Sequence, residues 1–175
     1  MIKERRNGQG AEVAGVTVEG KVAYLSLVQL QAGVTWQKSH YTRPEKWSKD
    51  SSVPAEKRIF RTPDWYGYFT ATYSPVKPLN IALSGTYTGS MIVQHMKGYI
   101  PKDIAVTTPD FFDMNLKISY DFSLYKFITL QLNAGIQNIF NAYQRDFDRG
   151  KERDSGYIYG PSMPRSYFAG AKLMF

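Results

Sequence analysis

Residues 113–122 read DMNLKISYDF, and they alternate without a break. Met114, Leu116, Ile118, Tyr120 and Phe122 take one parity; Asp113, Asn115, Lys117, Ser119 and Asp121 take the other. A two-residue period places the two sets on opposite faces of an extended strand. The next segment, 128–137, repeats the pattern, with Ile128, Leu130, Leu132, Ala134 and Ile136 against Thr129, Gln131, Asn133, Gly135 and Gln137. Upstream, 28–37 sets Val28, Leu30, Ala32, Val34 and Trp36 against Gln29, Gln31, Gly33, Thr35 and Gln37. Residues 79–88 oppose Leu79, Ile81, Leu83, Gly85 and Tyr87 to Asn80, Ala82, Ser84, Thr86 and Thr88. Weaker alternation covers 11–22 and 65–74, and a last strand covers 166–175 with Tyr167, Ala169, Ala171, Leu173 and Phe175 in phase. About seven strands result, and helical periodicity is hard to find.

These strands run to about ten residues, against a globular mode of ~5–6. A tilted strand of ~9–11 residues is what crosses a bilayer. The connections alternate in length: short near 23–27, 75–78 and 123–126, long near 43–62, 96–110 and 144–165. Short turns at one end and long loops at the other make the plan of an outer-membrane barrel. Tyr87-Thr88-Gly89-Ser90 reads as strand in this scheme. The polar faces carry Gln, Asn, Thr and Ser, while charge gathers in loops, as in Lys46, Lys49, Asp50, Glu56, Lys57 and Arg58. A charge facing lipid near the midplane costs ~2–4 kcal/mol, so spanning strands require this segregation. Aromatic residues bracket the strands, with Tyr73, Tyr120, Phe122, Phe127 and Phe175 by the short turns and Trp36, Tyr41 and Trp65 toward the long loops. Two such bands form a girdle at each interface.

Composition agrees and removes other classes. The 175 residues hold 22 Lys+Arg against 15 Asp+Glu, 13 Tyr, 10 Phe and no Cys. Thiolate metal sites, disulfides and cysteine nucleophiles are thereby excluded. No window approaches the ~18 apolar residues of a spanning helix. The net charge of +7 comes from loops and ends rather than from a basic stripe, so no nucleic-acid role is expected. Lipopolysaccharide phosphates are the anions such loops would meet. Residues 1–10, MIKERRNGQG, contain no apolar signal-peptide core.

Residues 135–144 read GIQNIFNAYQ and 160–175 read GPSMPRSYFAGAKLMF, and together they resemble the end of a TonB-dependent outer-membrane receptor. Asn138-Ile139-Phe140-Asn141 followed by Tyr143 is similar to the run that closes the family's penultimate strand. Gly160, Pro164 and Arg165 resemble its return segment, and the last strand ends on Phe175. Asn7-Gly8 and 15–20, GVTVEG, resemble a recurrent strand of the family, with Thr17 where Glu is more usual. The resemblance implies an all-β, antiparallel up-and-down transmembrane barrel of about 22 strands around a plug. Residues 1–175 would then be its C-terminal portion, with the signal peptide, TonB box, plug and earlier strands outside it. It also implies that Phe175, framed by Tyr167, Ala169, Ala171 and Leu173, is read by the barrel-assembly machinery, and that the three long loops face outward from the cell. The implied activity is energy-coupled uptake of a scarce solute: an iron chelate, haem, cobalamin or a glycan. Partners would be outer-membrane lipid, the TonB complex acting through the plug, and a surface lipoprotein. Gln29, Gln31, Thr86, Asn115, Lys117, Gln131, Asn133 and Gln137 are then expected to face the lumen.

Other chemistry finds little footing. Asp146, Asp148, Glu152 and Asp154 are interleaved with Arg145, Arg149, Lys151 and Arg153, which favours a solvated charged loop over a calcium site. His40 and His95 are the only histidines and read as ordinary strand-end polar residues. No G-x-S-x-G elbow or phosphate loop occurs, so neither catalysis nor a cofactor is expected. The rival architectures are a passive porin-like barrel and a soluble β-sandwich binding module.

Overall fold

The computed structural model describes residues 10–175. Seven long strands form one antiparallel sheet: β1 (Ala11–Tyr24), β2 (Val28–Glu45), β4 (Trp65–Val76), β5 (Leu79–Thr88), β8 (Phe111–Tyr125), β9 (Ile128–Gln137) and β10 (Ser166–Met174). They lie side by side in that order, and short β3 (Glu56–Arg58) pairs with the outer part of β2. A separate hairpin, β6 (Ile92–His95) and β7 (Ile104–Thr107), rises from the β5–β8 connection. The sheet is not closed, and β1 and β10 are its edges. The architecture is all-β and antiparallel, a partial barrel as its sequence pattern predicts. Asn7 and Gly8 lie outside the described residues.

Register carries the two-faced pattern across every strand. Residues directly opposite in an antiparallel pair share a face. One unbroken row runs Val22–Leu30–Ala71–Leu83–Leu116–Ile136–Tyr167. The row beside it runs Ala23–Gln29–Thr72–Ala82–Lys117–Gly135–Phe168. A one-residue slip in any pair would mix the sets, so the alternation itself fixes the register.

Among the described residues no layer packs on the apolar face. Val16, Val18, Val22, Leu30, Val34, Ile118, Phe122, Leu132 and Leu173 are all exposed there. On the same β8, Ser119 of the polar face is buried while Tyr120 of the apolar face is exposed. A water-soluble sandwich would show the opposite order, since its core lies between two apolar faces. The buried apolar cluster of Met91, Val93 and Tyr157 sits instead among the long connections, with Val106 and Tyr159 against it.

Several boundaries differ from the sequence pattern for physical reasons. β8 runs on to Tyr125 through a register shift after Ser123, and β4 continues past Pro75 through another after Tyr73. Bulges of this kind accommodate a residue that breaks the ladder. β5 ends at Thr88, so Gly89 and Ser90 begin the outer connection rather than extend a strand. β9 ends at Gln137, and Asn138–Asn141 forms a turn outside the sheet rather than its last strand residues. β10 ends at Met174, leaving Phe175 as an exposed residue beyond the ladder.

Candidate functional site

The long connections fold on one another at one end of the sheet. The base of the 138–165 connection is held by two asparagines in the left-handed region, Asn138 at φ 51° and Asn141 at φ 55°. Asn tolerates that conformation better than most residues because its short amide can bond locally. Asn138 Nδ2 donates to the carbonyls of Ala142 (3.1 Å) and Met163 (3.0 Å), and its Oδ1 accepts from Ala142 N (2.8 Å). Its own N–H donates to Asn115 Oδ1 at 2.9 Å. Asn141 Oδ1 accepts from Arg165 N at 2.9 Å. The two asparagines therefore tie the start of the connection to its end. Ile139 is anchored through its N–H to Met114 O, 2.8 Å. Phe140 is exposed and stacks on Phe112 at 5.7 Å, extending the outer aromatic band. Trp36 and Trp65, opposite each other in β2 and β4, contribute to the same band.

Above this base the charged loop is built around its acids. Gln144 is buried; its Nε2 donates to Tyr157 O (3.1 Å), and its Oε1 accepts from Tyr159 N (2.8 Å). Asp146 accepts from the hydroxyls of Tyr157 (2.8 Å) and Tyr159 (2.7 Å), one on each oxygen. Asp148 lies 2.9 Å from His95 Nε2 and also accepts from Asp154 N, 2.9 Å. Asp154 in turn accepts from Met96 N and Gly156 N, both at 2.8 Å. The His95 ring stacks flat on Tyr157 at 3.7 Å and 7°. Arg61 donates to the carbonyls of Gly156 and Ile158, tying in the first long connection. Ser48 Oγ donates to Asp103 at 2.5 Å and links it to the hairpin turn.

Two sequence expectations change here. Three of the four loop acids are not simply solvated: the carboxylates of Asp146, Asp148 and Asp154 are acceptors that organise the outer cap, while Glu152 is exposed. His95 is no plain strand-end residue, since it is buried between Asp148 and Tyr157 at the end of β6. Among the described residues no group of His, Asp and Glu is arranged to hold a metal ion. Spacing hid this unit because its parts come from two connections. The pairing of Asp146-x-Asp148 with Tyr157-x-Tyr159 in one loop was the available signal. Gly160 completes the return, with the Phe111 ring lying where a Cβ would go.

Electrostatics follow from these contacts. Burial pushes the Asp146 carboxyl up, but hydrogen bonds from Tyr159 and Tyr157 outweigh it and hold the group below the usual range. Burial, aided by the Asp146 charge, raises the Tyr157 phenol and pushes Tyr159 up to about 12. The basic half points outward: Arg145, Arg149, Lys151 and Arg153 are exposed, with Arg145 over the Tyr143 ring at 5.1 Å.

The residues expected to face a lumen all lie on the polar face. Gln29 and Lys117 share the row given above. Thr86 pairs with Asp113, and Asn133 pairs with Ser119 and Gly170. Four of these polar groups are engaged by neighbours. Gln31 donates to Tyr68 Oη (3.1 Å), Gln131 donates to Asp121 (2.8 Å), Asn115 accepts from Asn138, and Gln137 accepts from Ser166 Oγ (3.1 Å). Tyr167, Ala169, Ala171 and Leu173 lie together on the opposite face, in register with Ile136, Ala134, Leu132 and Leu130. Pro164 and Arg165 lead directly into β10.

A chain in the structure of the FpvAI–pyocin S2 complex matches 94% of this chain at 15% identity, with a TM-score of 0.62 and 19% of its own length covered. A chain of P. aeruginosa FpvA bound to a heterologous pyoverdine with iron matches 94% at 14% identity, with a TM-score of 0.61 and 20% of its length covered. The fold is that of a segment of a TonB-dependent receptor barrel. This chain spans about a fifth of the solved receptor chains it matches. No protein-family model and no curated protein matches the sequence.

Proposed function

We propose that this chain is the C-terminal portion of the barrel of a TonB-dependent receptor in the outer membrane of a Gram-negative bacterium. Its role is energy-coupled import rather than catalysis. The observation that supports this most is the continuous apolar face, exposed across seven paired strands with nothing packed on it. An apolar surface of this extent requires lipid as its partner. The outer cap then belongs to the cell surface, where it helps to capture a scarce solute. The FpvA structures hold a pyocin and a ferric pyoverdine, both ligands of those proteins. For this chain we propose the solute class only: an iron chelate, haem, cobalamin or a glycan, moved past a plug that the TonB complex drives.

Exposed Arg149, Lys151 and Arg153 would contact lipopolysaccharide phosphates, and a surface lipoprotein could cover the same cap. Phe175 and the outward set Tyr167, Ala169, Ala171 and Leu173 form the assembly signal. A passive porin would share the barrel but would need neither a plug nor energy coupling.

The absence of Cys makes topology directly testable. A single cysteine at Lys151 should react with a membrane-impermeant maleimide on intact Gram-negative cells, and one at Lys77 in a short turn should react only after lysis. Equal labelling of both on intact cells would refute the orientation. Uptake that persists after de-energising the inner membrane would favour the porin instead.

A further inference from the structure

We propose that the cavity under the base of the 138–165 connection binds a cationic nitrogen group, a primary ammonium or a guanidinium, offered from the polar side of the sheet. The cavity, about 350 Å³, is lined by Asp113, Asn115, Gln137, Asn138, Ser166 and the return 161–164. That volume falls at the small end of ligand sites, which run ~300–1,000 Å³. Asp113 stands on the polar face of β8, opposite Thr86. Its Oδ1 is buried and has no hydrogen-bond partner among the described residues.

The polar neighbours of Asp113 in the lining bond elsewhere. The Asn138 side-chain amide donates to Ala142 O and Met163 O, and its backbone N–H to Asn115. Ser166 Oγ donates to Gln137. These bonds close the loop base and leave Asp113, a residue of the cavity lining, with a carboxylate oxygen that no donor reaches among the described residues. A buried acceptor left unmatched is destabilising, and more so when charged, so such groups call for an explanation. Asp113 is also the only charged residue in the lining. An anionic ligand would meet like charge there. A cationic N–H group supplies opposite charge and a donor together, the combination that forms the stronger hydrogen bonds.

The cation could come from a dissolved solute or from a Lys or Arg of a polypeptide lying along the polar face; the chemistry at Asp113 is the same. The test titrates the complete barrel that contains this chain, in detergent micelles, with arginine amide, and in parallel with a short blocked peptide containing one arginine. Binding is followed through the side-chain amide resonances of Gln137 and Asn138. Saturable shifts are expected with at least one probe, and citrulline amide, the neutral isostere, should not produce them. Asp113→Asn should weaken binding by about tenfold or more, as loss of a charged hydrogen-bond partner does. Preference for the free amide would assign the site to a solute, and preference for the peptide to a polypeptide partner. The proposal fails if neither probe saturates, if citrulline amide binds as well as arginine amide, or if Asp113→Asn binds unchanged. The citrulline comparison uses the unaltered chain, so it decides even where the variant does not fold.

Discussion

Asn138 shows how much one residue can carry when conformation and hydrogen bonding coincide. It holds φ 51°, is buried, and makes three side-chain hydrogen bonds that join the two ends of the loop. Asn138→Ala should therefore destabilise the folded chain by about 3 kcal/mol, from lost buried bonds and a left-handed Cβ. Asn138→Gly keeps the backbone freedom and should cost about 1 kcal/mol less. Urea unfolding in micelles would measure both, and equal losses would show that φ contributes nothing. Asp146 gives a pH prediction with two limits. Its lowered carboxyl stabilises the cap above the unfolded value of ~3.9, and this is lost as pH falls through the lower folded value. Tyr159, raised to about 12, stabilises the cap below the unfolded value of ~10, and that is lost as pH climbs through about 12. Phenolate absorbance should accordingly show Tyr157 and Tyr159 ionising above the ordinary phenol range, and protease nicking of the 138–165 connection should increase beyond either limit. Tyr159→Phe should bring nicking on at a less acidic pH, because Asp146 loses a donor.

At the scale of elements, the strands were readable because a two-residue period and a buried register reinforce each other. All seven long strands follow from alternation alone, and their faces agree with the ladder pairing residue by residue. Strand ends were less readable. Where a ladder stops depends on the loop that caps it, as at Gln137, where Asn115 and Met114 take the next N–H groups in turn. The hairpin β6–β7 escaped notice because strands of only 4 residues carry too little periodicity to register. The outer cap escaped for a different reason: His95, Asp148 and Tyr157 meet through tertiary packing, which no local spacing encodes. The faces themselves predict asymmetric tolerance along β9. Leu132→Arg, on the apolar face, should destabilise by ~2–4 kcal/mol at mid-membrane depth, while Asn133→Arg, its neighbour on the polar face, should be tolerated within about 1 kcal/mol. The folded fraction on refolding into lipid vesicles reports the difference, and equal sensitivity at both positions would contradict the assignment of faces.

For the whole molecule, what remains unsatisfied is as informative as what is satisfied. An apolar face calls for lipid, and the open edges of β1 and β10 call for further strands. An antiparallel sheet with its connections gathered into one cap would meet both needs as part of a larger barrel. Phe175 is exposed beyond the last ladder pair, and we propose that the barrel-assembly machinery reads it there. Phe175→Ala should reduce the amount of protein reaching the outer membrane several-fold with little change in the stability of what arrives. The most direct test of the central claim is a spin-label scan along Ile128–Gln137 in lipid bilayers, reading collisions with oxygen and with a water-soluble nickel chelate. The account predicts oxygen maxima at 130, 132, 134 and 136 and nickel maxima at 129, 131, 133 and 135. Nickel access at 132 and 134 equal to that at 131 and 133 would contradict it, because the apolar face would then be facing water.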